Sequence, residues 1–259
     1  MDIAPSIPAI EEAVAPLPPQ KRLRWGPWTT AAWSVAILVV MVLSQTAGAL
    51  IFWRIWERLH PEQPIEIATL ASNGAVLAFS VLISAPAVLA FIAFAVRLAR
   101  VPLADYLALR VPRWRDIGIG AALLAAVLLV TGLIASLTGQ ESPAFIADTF
   151  NTARAAGMLP LLIFSFVILG PFQEEAMFRG FLFRGLAGAL GIWPTIVLTA
   201  GVWAIIHVQY QWFFMGEIFA LGLVFGWLRA KSGSLLLTFG LHALVNGMAV
   251  VEASLMAGS

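Results

Sequence analysis

Long apolar runs, each about the length of a membrane-spanning helix, follow one another along most of the chain. A helix needs about 20 apolar residues to cross the hydrocarbon core of a bilayer. The chain supplies seven such stretches, at approximately residues 29–53, 68–96, 116–137, 159–188, 193–210, 212–229 and 234–253. The fifth and sixth are short, with almost no loop between them. The pattern predicts an all-α fold, a polytopic bundle of about seven transmembrane helices.

The composition agrees with a membrane protein. Hydrophobic residues make up 61% of the 259 residues and charged residues 11%, against roughly 25% charged in an ordinary soluble domain. A net charge of +1 gives no indication of nucleic acid as a partner. The chain has no cysteine, which excludes disulfides, thiolate metal ligands and thiol nucleophiles. The partner that the composition predicts is the lipid bilayer.

Basic residues are distributed unevenly between the two sides of the predicted spans. Twelve of the 15 lysines and arginines lie before the first span, after the second, near the end of the fourth or after the sixth. Positively charged residues accumulate in cytoplasmic loops, so the distribution predicts an N-inside orientation. A multi-pass protein of a bacterial inner (plasma) membrane fits this arrangement.

The chain divides into three regions. Residues 1–24 hold five prolines and three acidic residues and are predicted to form a disordered, Pro-rich cytoplasmic tail. Residues 25–158 are predicted to hold the N-terminal transmembrane helices. They include a basic segment at 97–116 that suits either a helix in the cytoplasmic interface or an ordinary basic loop. Residues 159–253 hold the remaining helices and all the candidate chemistry.

Three polar clusters interrupt the apolar stretches of the carboxyl-terminal third. They read Glu174-Glu175-Ala-Met-Phe-Arg179, Trp203-Ala-Ile-Ile-His207 and His242-Ala-Leu-Val-Asn246. An ionisable side chain in hydrocarbon costs at least ~2.5 kcal/mol on insertion scales. These residues are therefore candidates for a functional site.

Spacing predicts how the two carboxylates of the first cluster differ. Glu175 and Arg179 are four residues apart, so they lie on one helix face and can form an ion pair. Glu174 projects about 100° away from that face. We expect Glu174 to be free for chemistry, although a buried Glu–Arg pair is as often a structural clasp as part of a functional site.

The two histidine clusters can be analysed in the same way. His242 and Asn246 are four residues apart and present an imidazole and an amide on one stripe, while Trp203 lies one turn before His207 and can pack against its ring. A single buried histidine is usually only a satisfied hydrogen-bonding residue. Two of the three histidines lie in apolar stretches of a chain that also buries an acid pair, and this favours a shared site.

The three clusters resemble the motifs of a known family. EEAMFRG at 174–180, WAIIH at 203–207 and HALVN at 242–246 match, in order and spacing, the EExxxR, FxxxH and HxxxN pattern of the CPBP family. This family comprises CAAX proteases, including type II CAAX prenyl endopeptidases, and bacteriocin-processing (Abi) membrane proteins. The resemblance covers about residues 159–253. One difference is Trp203, where the family usually has phenylalanine; an aromatic ring is kept, so we expect only altered packing.

The resemblance implies an intramembrane endopeptidase acting on a membrane-associated peptide or protein. The roles it implies are a water-activating base for Glu174, a water-holding group for His207, oxyanion stabilisation for His242 and Asn246, and support of the site by Glu175, Arg179 and Trp203. A carboxylate in a membrane cavity with nearby imidazole and amide donors suits such chemistry on physical grounds as well.

The metal dependence of such a site is open at this point. One glutamate with two histidines, here Glu174, His207 and His242, matches a common catalytic zinc ligand set, and the family has long been described as metalloproteases. The HExxH spacing of zinc proteases is absent, and current understanding of the relatives favours a glutamate-driven reaction. We therefore expect no cofactor, with zinc as the alternative.

Two other functions are compatible with the same residues. A non-catalytic immunity or chaperone-like membrane protein could bind its partner through the same cavity. A proton-coupled transporter could use buried Glu and His as a relay, although the sequence lacks the internal repeat and broken helices typical of transporters. The sequence determines neither the substrate nor the oligomeric state.

Overall fold

The computed structural model describes residues 23–257, so almost all of the predicted tail at 1–24 lies outside the described residues. Every regular element between residues 23 and 257 is helical. The predicted all-α fold class is confirmed.

Six helices are long and apolar enough to cross a membrane: α1, α2, α4, α6, α8 and α9. In chain order the helices are α1 (Pro27–Leu59), α2 (Gly74–Ala99), α3 (Leu103–Leu107), α4 (Trp114–Thr138), α5 (Ala144–Ala155), α6 (Leu159–Leu190), α7 (Ile192–Ile205), α8 (Trp212–Ser232) and α9 (Leu235–Met256). Together with the shorter apolar helix α7, they account for the seven predicted spans.

Helix α7 is shorter than the span predicted at 193–210. It ends at Ile205, and residues 206–211 form the turn into α8. Its 14 residues extend about 21 Å, which is less than the ~30 Å of a hydrocarbon core. His207, predicted to lie within the span, instead follows the end of the helix.

The second predicted span, 68–96, begins too early. Residues Ile67–Thr69 form a single 3₁₀ turn, and α2 starts only at Gly74 because Asn73 caps it. The Asn73 side chain accepts hydrogen bonds from the backbone N–H groups of Ala75 and Val76, at 3.0 and 3.2 Å, and thereby satisfies donors that lack a partner in the first turn. The other predicted boundaries differ from the observed ones by at most six residues.

Helix α6 lies at the centre of the bundle, in contact with α1, α2, α7, α8 and α9. Gly185 of α6 packs so closely against α1 that a Cβ atom there would be 2.2 Å from the Thr30 methyl group. Helix α4 is peripheral by contrast, since only Gly120 and Leu124 are buried along its length. Its other apolar side chains face outward, as expected of a helix in contact with lipid.

Helix α6 does not have uniform α-helical geometry. It widens into π-helical turns over Ser165–Leu169 and Ala176–Leu182. The first turn directly precedes Gly170-Pro171, where proline removes a backbone N–H from the helix. The second begins immediately after Glu175, within the first polar cluster. Turns of this kind recur at functional sites.

The predicted basic segment at 97–116 begins in the last turn of α2 and ends in the first turn of α4, with the one-turn helix α3 and irregular backbone between them. It is tied to the bundle at two points. The Leu235 backbone N–H donates to the Ala108 carbonyl at 2.9 Å, and the Arg184 guanidinium donates to the Asp105 carbonyl at 2.5 Å. The segment therefore packs against the end of α6, which carries Arg184, and against the turn that follows the basic last turn of α8.

Candidate active site

Glu175 and Arg179 form the ion pair that their spacing predicted. Glu175 Oε1 lies 2.9 Å from Arg179 Nη1, and both side chains are fully buried. The guanidinium of Arg179 also lies over the ring of Trp203, 4.3 Å from its centroid. Removing either charge would leave the other buried without its counter-ion. The pair thus connects α6, which carries both glutamates, with α7.

Trp203 contacts all three polar clusters. Its indole Nε1–H donates to Glu174 Oε2 at 2.8 Å. Its ring packs edge-on against the imidazoles of His207 and His242, at centroid distances of 5.3 and 5.2 Å. Residues from α6, α9 and the turn after α7 therefore meet around one indole.

The expectation that tryptophan at this position alters only packing is wrong. A phenylalanine ring has no N–H group, so it could not make the hydrogen bond that Trp203 donates to Glu174. That bond fixes one oxygen of the carboxylate, while the other oxygen has no hydrogen-bond partner within the part of the chain that the structure describes. Residue 203 thus determines how Glu174 is held.

His207 is oriented by the backbone of the same tryptophan. Its Nδ1 lies 2.7 Å from the Trp203 carbonyl oxygen. A carbonyl can only accept a hydrogen bond, so Nδ1 carries the proton and Nε2 of the neutral ring has a free lone pair. The side chain is half-buried, which makes Nε2 the nitrogen available to a water molecule or a substrate.

His242 is paired with the carboxylate of Glu175 and not with that of Glu174. Its Nδ1 lies 3.2 Å from Glu175 Oε1, so it shares that oxygen with Arg179. The imidazole is buried between Trp203 and Phe225, whose ring centroid is 5.9 Å away. With Nδ1 held by the carboxylate, Nε2 is again the ring nitrogen left for other contacts.

Asn246 completes the hydrogen bonding of α6. Its Nδ2 group donates to the Phe166 carbonyl at 2.8 Å. In the π-helical turn the Gly170 N–H bonds to Ser165, and Pro171 has no N–H, so the Phe166 carbonyl lacks a donor in its own helix. Asn246 supplies that donor, and it thereby ties α9 to the widened part of α6.

Two aromatic residues that the sequence reasoning missed also belong to this cluster. Tyr210 stacks on the His207 ring at a centroid distance of 6.1 Å, and Phe225 lies beneath both Arg179 and His242. Burial raises the pKa of Tyr210 above its ordinary value, and the nearby Glu174 carboxylate raises it further. The phenol therefore stays protonated. The position of Tyr210 three residues after His207 was the signal in the sequence that the two rings are neighbours. The predicted span at 193–210 instead placed both residues in a helix.

The side chains considered as zinc ligands make other contacts in this arrangement. Within residues 23–257, no group of three or more His, Cys, Asp or Glu side chains is placed to hold a metal ion. The zinc ligand set considered above would need Glu174, His207 and His242 to converge on one point. Glu174 is instead bonded to the Trp203 indole and His242 to Glu175.

Comparison with known proteins identifies the region that contains this site. Residues 156–248 match the family described as Type II CAAX prenyl endopeptidase Rce1-like. The matched segment is little more than a third of the chain, yet it holds all three motifs. No curated protein and no solved structure matches the chain. The protein is therefore a multi-pass membrane protein in which residues 156–248 are similar to the Rce1-like peptidases, and the resemblance to CAAX-type proteases is confirmed.

Proposed function

We propose that the protein is an intramembrane endopeptidase that hydrolyses a peptide bond in a membrane-associated peptide or protein with water activated by Glu174. The observation that carries this proposal is the cluster around Trp203, where Glu174, His207 and His242 come together. The similarity of residues 156–248 to a peptidase family supports the same reaction class.

Glu174 is the general base of the proposed reaction. Its Oε2 accepts the Trp203 hydrogen bond, and its Oε1 has no hydrogen-bond partner among residues 23–257, so Oε1 is available to a water molecule. The free Nε2 of His207 accepts a second hydrogen bond from that water. Glu174 then takes a proton from the water as the oxygen attacks the scissile carbonyl carbon.

The attack produces a tetrahedral intermediate with a negatively charged oxygen. His242 can donate to this oxyanion through Nε2 when its ring carries both protons, and Glu175 is the counter-ion for that form. Asn246 keeps one amide hydrogen beyond the one it donates to Phe166. The carbon–nitrogen bond then breaks, and Glu174 returns its proton to the leaving amine, which gives one acid and one amine product.

Replacing the base is the direct test of this function. We expect Glu174→Gln to lower the rate of cleavage by about a hundredfold or more, with little effect on folding because Glu174 forms no ion pair with any other described residue. Membranes from cells with the wild-type protein and with this variant would be compared by quantitative mass spectrometry of their peptides. Glu217→Gln makes the same change on α8 and serves as the control.

Products that are present with the wild type and with Glu217→Gln but absent with Glu174→Gln would support the peptidase. Identical peptide profiles in all three samples would contradict it. A biological activity that survives Glu174→Gln would instead favour the binding function of a non-catalytic immunity or chaperone-like protein.

We propose that this reaction needs no metal ion. The hydrogen bonds of Glu174 and His242 support this proposal, since they direct both side chains away from a shared ligand position. The measurement is the zinc content of the purified protein, together with its activity before and after chelation. Full activity of metal-free protein is expected. Stoichiometric zinc, with loss of activity on chelation and recovery on readdition, would contradict the proposal.

We also propose that the amino terminus faces the cytoplasm, as in a bacterial inner-membrane protein. The contacts of the basic segment with the end of α6 and with the turn after α8 support a common basic face. Because the chain has no cysteine, single cysteines can report accessibility without background. A membrane-impermeant maleimide added to spheroplasts should label Glu62→Cys and leave Lys231→Cys unlabelled, and the reverse pattern would contradict the orientation.

A further inference from the structure

Two of the arginines in residues 23–257, Arg179 and Arg229, are buried in the bundle and have different partners. Arg179 has the Glu175 carboxylate at 2.9 Å. Arg229, in the last turn of α8, is 2% exposed and has no carboxylate partner among residues 23–257. Its Nε–H donates to the Arg179 carbonyl at 2.9 Å, and its guanidinium lies over the Phe183 ring, 5.6 Å from the centroid. Both of its Nη groups are left without a hydrogen-bond acceptor among the described residues.

The charged groups around Arg229 are also positive. Arg184 and Arg110 both act on its guanidinium, and both repel it. Asp105 acts on Arg184 and not on Arg229, so no negative charge among the described residues acts on the Arg229 guanidinium. Burying a cation without a counter-ion is costly. Arg229 therefore lacks an anion that the described residues do not supply.

The cluster is held in place before any ligand arrives. Ser234 donates from its hydroxyl to the Arg110 carbonyl at 2.5 Å, which fixes the backbone of the basic segment against the turn after α8. Gly233 makes that turn possible with a φ of 65°, a value that favours glycine. On the opposite side, the Arg184 guanidinium lies 5.0 Å from the centroid of the Tyr106 ring. Groups ordered in advance lose little entropy on binding.

The chemistry of the missing anion follows from these donors. Guanidinium groups match the oxygens of a phosphate in geometry and in charge. The cluster lies where α6 and α8 end, at the edge of the apolar bundle, and this is the level of lipid headgroups if the helices span a membrane. We propose that Arg229, with Arg184 and Arg110, binds a phosphate group, carried either by an anionic phospholipid or by a soluble phosphate compound.

The two sources can be separated with defined probes. The purified full chain in detergent would be titrated with phosphatidylglycerol, with diacylglycerol of the same acyl chains, and with inorganic phosphate, and binding would be followed by native mass spectrometry. Binding of phosphatidylglycerol without diacylglycerol would assign the site to a lipid. Binding of inorganic phosphate that displaces phosphatidylglycerol would assign it to a soluble ligand. If none of the probes binds selectively, the proposal is overturned.

Variants then locate the binding. We expect Arg229→Gln to weaken phosphate binding about tenfold or more, since it removes the charge-assisted donor at the centre. Lys231→Gln is the matched control because it removes one positive charge from the same helix turn, where Lys231 is exposed. Its affinity should stay close to that of the wild type. Equal losses in the two variants would overturn the site in favour of general surface charge.

A second variant keeps the test valid if Arg229→Gln does not fold. Arg110 is exposed, so Arg110→Gln should fold normally and weaken binding about two- to fivefold. Wild-type affinity in the Arg110→Gln protein would count against the cluster. Because the readout is ligand binding, the result does not depend on whether the protein is a peptidase.

Discussion

At the candidate active site, two faces of α6 each carry a glutamate, and the surroundings of the two carboxylates are opposite. On one side, Glu175 is fully buried and contacts Arg179 and His242. On the other side, Glu174 is half-buried and contacts the neutral indole of Trp203. Consecutive residues of a helix point about 100° apart, which is enough to separate a closed environment from one that water can reach.

We propose that this difference gives Glu175 a structural role and Glu174 a chemical one. A carboxylate whose charge is balanced by a buried guanidinium is stabilised where it is and has little tendency to take up a proton. A carboxylate held by one neutral donor keeps a free oxygen and can act as a base. A pair of adjacent acids in a membrane helix can thus supply a structural clasp and a reactive group within a single turn.

The largest expected effect comes from breaking the buried Glu175–Arg179 ion pair. Arg179→Ala would leave Glu175 buried with only the His242 imidazole beside it and should lower the free energy of unfolding by about 3–5 kcal/mol. The measurement is chemical unfolding of the purified protein in detergent. Loss of activity should accompany the loss of stability, because the same arginine packs over Trp203.

A second Glu–Arg pair in the chain provides the control. Arg54 lies 3.6 Å from Glu57 near the end of α1, and its side chain is 69% exposed. Arg54→Ala should change the stability by no more than about 1 kcal/mol. If the two alanine variants proved equally stable, burial would not distinguish the two pairs, and the clasp would have no special role.

A smaller effect is expected from removing the hydrogen bond between Trp203 and Glu174. Trp203→Phe keeps an aromatic ring between the two imidazoles but removes the hydrogen bond to Glu174. Loss of a hydrogen bond to a charged group should lower kcat about tenfold, with KM nearly unchanged and with a smaller loss of stability than in Arg179→Ala, since the buried ring is smaller. The assay would use a substrate identified from the membrane peptide comparison.

Trp212→Phe is the matched control for this change, since Trp212 is 86% exposed at the start of α8 and should tolerate the substitution. Wild-type kcat in Trp203→Phe would show that the indole N–H does not position the base. A large loss of stability would show that the indole is needed mainly for packing.

Features of the site that depend on a single helix could be predicted from the sequence. The four-residue spacing of Glu175 and Arg179 determines their pairing whatever the rest of the fold does, and the positions of the long helices follow from apolar length. The convergence of the three motifs was an inference from the cost of burying polar groups, and the contacts of Trp203 with all three clusters agree with it.

Contacts between helices could not be predicted in this way. The choice of Glu175 over Glu174 as the partner of His242 depends on the relative rotation of α6 and α9, which the spacing within each helix does not determine. The π-helical turns change that rotation, and Gly170-Pro171 was their visible sign. The role of Asn246 at the Phe166 carbonyl follows from the same widening of α6 and was missed with it.

The short length of α7 has a consequence for the surrounding bilayer. The helix starts immediately after α6 ends and covers about 21 Å of a hydrocarbon layer about 30 Å thick, so the turn that carries His207 stops short of the far surface. Lipid cannot solvate the bare backbone of such a turn. Hydrophobic mismatch at this point would thin the membrane locally. Headgroups and water would then lie closer to the Glu174 carboxylate.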